Sequence, residues 1–67
     1  MSKPLTVVKI AETIESAGYG KLPSGCHFVA LDKELTEEVV IVPSSPMPKI
    51  FYLKADEKGD VVAFKAM

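Results

Sequence analysis

The chain has no arginine and no tryptophan, one cysteine, one histidine, and no apolar run longer than four or five residues. Each shortage removes a class of explanation. A lone cysteine, Cys26, excludes a disulfide within the chain. One cysteine and one histidine fall short of the roughly four clustered ligands that zinc takes, and no metal or other cofactor is expected. The apolar runs stop far below the roughly 20 residues of a membrane-spanning helix. The opening Met1-Ser2-Lys3-Pro4 starts no hydrophobic stretch of signal-peptide type. No membrane partner is therefore expected, and the lone free thiol points to a reducing cytoplasm, in a bacterium or encoded by a phage. The missing arginines remove the side chain best suited to phosphates and guanine edges. With eight lysines against nine carboxylates the net charge is −1, which argues against a nucleic-acid partner.

What is present is hydrophobic residues, 48% of a 67-residue chain, enough for one small domain spanning residues 1 to 67. A core of this size contributes about 3–5 kcal/mol, and domains like it are commonly held by a disulfide, a metal or self-association. The first two are excluded by composition, which leaves good packing or a second chain.

Residues 4 to 17 predict an amphipathic helix. Val7, Ile10, Ala11, Ile14 and Ala17 recur at spacings of three and four. Ser2 or Thr6 is positioned to cap it, Pro4 suits a first turn, and Gly18 suits its end. Gly18 to Gly25 reads as a loop. Four strands follow, at 26 to 31, 39 to 42, 49 to 55 and 61 to 66. They are linked by the charged connector Asp32 to Glu38, the proline-rich 43 to 48, and the turn Asp56-Glu57-Lys58-Gly59-Asp60. The expected fold is α+β: one N-terminal helix packed on a four-stranded antiparallel β-meander, in the order αββββ.

The strands Cys26-His27-Phe28-Val29-Ala30-Leu31, Val39-Val40-Ile41-Val42, Ile50-Phe51-Tyr52-Leu53 and Val61-Val62-Ala63-Phe64 are apolar at nearly every position. A sheet with one wet face should alternate apolar and polar residues. Four strands of about five residues present roughly 19 by 17 Å, on the order of 300 Å² per face. A fourteen-residue helix is about 21 Å long and about 10 Å wide, enough for one face. The second face, expected to carry one alternate set such as Val29, Leu31, Val40, Val42, Phe51, Leu53, Val61 and Ala63, calls for a partner. The chain is thus expected to be a non-catalytic interaction or regulatory module, associating as a homodimer or with a larger protein through an apolar sheet face or edge. Val40, Phe51, Tyr52 and Leu53 are its expected contacts, with Met47 an adaptable residue at the rim.

Other features of the chain also bear on chemistry. His27 adjoins Cys26, a pairing that suggests nucleophilic chemistry, but neighbours on a strand point to opposite faces. The carboxylates Asp32, Glu34, Glu37 and Glu38 crowd one connector, as an acid–base pair would require if two of them faced one cleft. Ala17-Gly18-Tyr19, then Gly25-Cys26-His27, then Val42-Pro43 resemble the corresponding segments of HicA-type toxins, small bacterial RNA-cleaving proteins, over about residues 8 to 46. That resemblance implies an alternative function as a ribonuclease with His27 catalytic. A further alternative, weak nucleic-acid binding without catalysis, requires Lys49, Lys54, Lys58 and Lys65 to cluster on the last hairpin.

Overall fold

A computed structural model of the chain describes residues 5 to 44 and 46 to 67. The elements run α1 (Val7–Ile14), a wide turn of π-helix (Glu15–Tyr19), β1 (His27–Ala30), β2 (Glu37–Val42), β3 (Lys49–Ala55) and β4 (Val61–Ala66). The strands form one antiparallel sheet in the order β1-β2-β3-β4, the α+β meander expected from the pattern.

Thr6 caps α1. Its backbone is extended, and its Oγ1 accepts the Lys9 N–H at 3.1 Å. The alternative cap Ser2, and Pro4, lie outside the described residues. Leu5, just before the cap, and Ile10, one turn in, are both buried in the core, as in a hydrophobic staple. Leu5 is held there by its N–H, which donates to the Leu35 carbonyl at 2.8 Å. Leu5 therefore takes the core place expected of Val7, which stays exposed.

Ile10 and Ile14 supply the rest of the helix's buried face. The π turn then widens the spiral and shifts the phase of the following side chains, which leaves Ala17 exposed rather than on that face. Gly18, at φ 96°, ends the helix where a residue with a β-carbon would be strained. The chain emerges with Tyr19 seated on two phenylalanines. Its ring lies 5.1 Å from Phe51, edge-on, and 6.0 Å from Phe64, while Phe51 and Phe64 stack at 5.9 Å.

The strand boundaries differ from expectation at β1 and β2. Cys26 and Leu31 fall outside β1, and Glu37 and Glu38 fall inside β2. The connector is shortened by Asp32, whose Oδ1 accepts the Thr36 and Glu37 N–H groups at 2.9 and 3.2 Å and whose Oδ2 bonds the Thr36 hydroxyl. That wrap forces Leu35 to φ 59° and frees the two glutamates to join the ladder. At the other hairpin Asp56 Oδ1 accepts from the Lys58 and Asp60 N–H groups, and Gly59 takes φ 87°.

The core lies wholly on one side of the sheet. Leu5, Ile10 and Ile14 pack with Val40, Val42, Phe51, Leu53 and Ala55, and Leu22, Cys26, Val61 and Phe64 close its edges. Each fully buried aliphatic side chain contributes about 1.5–3 kcal/mol.

Candidate functional site

The register fixes what the other side carries. His27 pairs with Ile41, which pairs with Ile50; Ile50 and Met67 exchange backbone hydrogen bonds. The next row on this face is Val29, Val39, Tyr52 and Lys65, and the row after it holds Glu37, Lys54 and Ala63. Leu31, whose N–H donates to the Glu37 carbonyl, lies at that end just past β1. None of the eight buried apolar side chains belongs to these rows. The open face thus has an apolar middle of Val29, Val39, Ile41, Ile50 and Tyr52, with His27, Glu37, Lys54 and Lys65 around it. An apolar centre inside a polar rim is the anatomy of a protein interface.

This corrects the sequence-based set. Val40, Phe51 and Leu53 lie in the core under α1, with exposures of 0, 3 and 0%. They are not surface residues of the folded chain. Of the alternate set expected on the uncovered face, Val42 and Val61 also belong to the covered side, while Val29, Leu31 and Ala63 keep the expected place. The error is one of parity. Val29 pairs with Val39, so Val29 and Val40 cannot share a face. Tyr52 does lie on the open face. Met47 is 74% exposed in the proline-rich crossover, where the Ser44 hydroxyl donates to its carbonyl at 2.6 Å. Ser45 of that crossover lies outside the described residues.

Tyr52 is the best-fixed residue of the face. Its hydroxyl donates to Glu37 Oε1 across the β2–β3 pair at 2.6 Å. Because the carboxylate accepts that proton and repels the phenolate, the Tyr52 pKa is raised above its ordinary value. The bond joins two residues on adjacent diagonals and holds the ring over the sheet rather than out in water.

The other candidates separate in space. Cys26 turns toward the core, its thiol donating to the Pro23 carbonyl at 3.0 Å, while His27 is exposed at the rim of the open face. The two diverge, as strand geometry requires. The four carboxylates do not converge on a cleft. Asp32 is spent on its own loop, and the Thr36 hydroxyl bond holds its pKa below the usual value. Glu37 is on the open face and Glu34 is exposed. Glu38 is on the covered side between Ala30 and Leu53, 7% exposed, and burial followed by the nearby Asp32 charge raises its pKa. The lysines divide too. Lys54 and Lys65 share the open face, Lys49 has the parity of Val42, and Lys58 sits in the turn.

Val39, Ile41 and Ile50 escaped the sequence-based set. A signal for them exists in the two strand lysines, Lys54 and Lys65, which mark the face that meets water.

Among the described residues no group of three or more histidine, cysteine, aspartate or glutamate side chains is placed to hold a metal ion, and no helix is long and apolar enough to cross a membrane. Comparison with family models, with curated proteins and with solved structures found no match to this chain.

Proposed function

We propose that this chain is a small non-catalytic interaction module of regulatory type, working through the open face of its sheet. The observation that carries this is the apolar middle of that face. Val29, Val39, Ile41, Ile50 and Tyr52 lie opposite a core that is complete without them. Two features support it. The polar residues on the face sit around this middle rather than in it, and Tyr52 is held in place by Glu37 before any partner arrives. A side chain already fixed in the free protein loses less rotamer freedom on binding.

The test is site-specific photo-crosslinking in producing cells. A photoreactive residue at Ile41, in the middle of the open face, should give a discrete higher-mass product. The same residue at Glu12, exposed on α1, should not. Equal labelling from both positions, or none from Ile41, would sink the proposal.

A further inference from the structure

The first edge of the sheet is built differently from the last. All four residues of β1 are exposed although three of them are apolar. Phe28 is 36% and Val29 44% exposed, and Leu31 just beyond is 52% exposed. Phe28 and Ala30 have the parity of the covered side, and Val29 that of the open side. Both faces of this strand therefore present apolar surface.

Its free backbone groups can be assigned. Leu31 donates to the Glu37 carbonyl at 2.9 Å, so that pair is hydrogen-bonded. Antiparallel pairs alternate, so Val29 and His27 also bond inward to β2, and Phe28 and Ala30 direct their N–H and C=O groups outward. Natural sheets protect such an edge with lysine, proline or a bulge. β4 has a lysine, Lys65, and a bulge opposite Lys54 and Ala55. β1 has a regular register and no lysine, proline or bulge, and its four-residue length is the one such safeguard it has.

We infer that β1 pairs antiparallel with β1 of a second copy, joining two sheets into one of eight strands about a two-fold axis at Val29. This goes beyond the open-face reading and does not depend on it, since edge pairing leaves the open face of each copy uncovered. One register satisfies every outward group of the strand itself. Phe28 of one copy exchanges both backbone bonds with Ala30 of the other, twice over, giving four hydrogen bonds. Centring on Phe28 or Ala30 instead leaves only a self-pair within the strand.

The same register suits the side chains. Val29 meets Val29 of the second copy on the open face, and His27 meets Leu31. Asp32 and Lys33 fall opposite Cys26 and Gly25, so no like charges face each other across the seam. The two open faces then run into one another, making a single longer apolar strip. A four-residue seam buries less than the roughly 1,200 Å² of a standard stable interface. The dimer is accordingly a weak, exchanging one, largely dissociated at low micromolar protein.

Sedimentation velocity from low micromolar to millimolar protein should show reversible dimerisation. In a Cys26→Ser background, Val29→Cys should form a disulfide-linked dimer under mild oxidation. The non-hydrogen-bonded pair on the axis brings its Cα atoms to about 4.5 Å, within disulfide range. Tyr52→Cys in the same background should not cross-link. Ala30→Pro removes an outward N–H and should weaken dimerisation at least tenfold with the fold intact. If that variant does not fold, Val29→Lys, which sets two cations on the axis, should do the same. A monomer at every concentration overturns the inference. So does a dimer cross-linked through Tyr52→Cys but not Val29→Cys. The second result would leave the open-face module standing as a face-to-face pair, and loss of Ile41 photo-crosslinking would remove the module itself.

Discussion

Leu53 and Ile41 test which side of the sheet is the core. Both are large aliphatic residues in central strands, and they lie on opposite faces. Leu53 is fully buried between Glu38 and Phe64 across the strands, in one cluster with Ile10 and Ile14. Leu53→Ala removes three buried carbons and leaves a cavity that the neighbouring strands cannot close. Such substitutions cost about 2–5 kcal/mol. At about 0.05–0.15 kcal/mol per residue, a chain of this length has roughly 3–10 kcal/mol in total. The variant should therefore lose a large fraction of its stability. Ile41 is only half-buried among open-face neighbours, and Ile41→Thr keeps a β-branched residue in the strand. It should cost less than about 1 kcal/mol. Urea titration followed by far-ultraviolet circular dichroism measures both, since the chain has no tryptophan to report by fluorescence. With a urea slope near 1 kcal/mol/M for so small a protein, Leu53→Ala should lower the midpoint by about 2 M or more. Low micromolar protein keeps association out of the measurement. Equal losses, or a larger loss from Ile41→Thr, would refute the placement of α1 and with it the open face.

Three further outcomes follow from single residues. Glu38 has a raised pKa in the folded state, so its contribution is full below the ordinary glutamate pKa and is lost as pH rises through the raised value. Glu38→Gln should therefore stabilise the protein at neutral pH and flatten the stability profile above about pH 4.5, and a profile unchanged by the substitution would contradict this. Gly18→Ala meets no atom within 4 Å, so its cost is backbone strain at φ +96°, about 1–2 kcal/mol by thermal melting. Leu35 holds φ 59° with its side chain partly exposed, so Leu35→Asn should raise the melting midpoint by the equivalent of up to about 1 kcal/mol.

Much of the fold was legible because its stops are chemical. Gly18 and Gly59 each hold a positive φ at the point where the pattern called for an end or a turn. Thr6 caps because its oxygen sits three residues ahead of an orphan N–H. What the pattern hid was long-range. The π turn that brings Tyr19 onto Phe51 has no local signature in Glu15-Ser16-Ala17-Gly18-Tyr19 that an α-helical ending lacks. The wrap of Asp32 around Thr36 and Glu37, which lengthens β2, looked like a plain charged connector because aspartate and threonine are common in both.

Face assignment failed for a reason that also gives the site its character. In a strand with one wet side, polar residues declare the parity. Val39-Val40-Ile41-Val42 declares nothing, because its two alternate sets are equally apolar. Parity had to come from the ends and from the partner strands. Glu37 ahead of Val39, Lys54 after Leu53, and Lys65 after Phe64 all fall on the open face once the register is known. The exceptions are Lys49, exposed at the start of β3, and Glu38, the strand carboxylate that burial holds toward its neutral form. Solubility alone would be served by carrying that polarity through Val39, Ile41 and Ile50. The chain instead confines charge to the rim and leaves the middle apolar, at the known cost of surface that tends to associate. The same asymmetry separates its two edges, since Lys65 and the bulge guard β4 while β1 itself carries no lysine, proline or bulge. Apolar middle and bare edge meet at Val29, so that residue is where face-directed and edge-directed association are told apart.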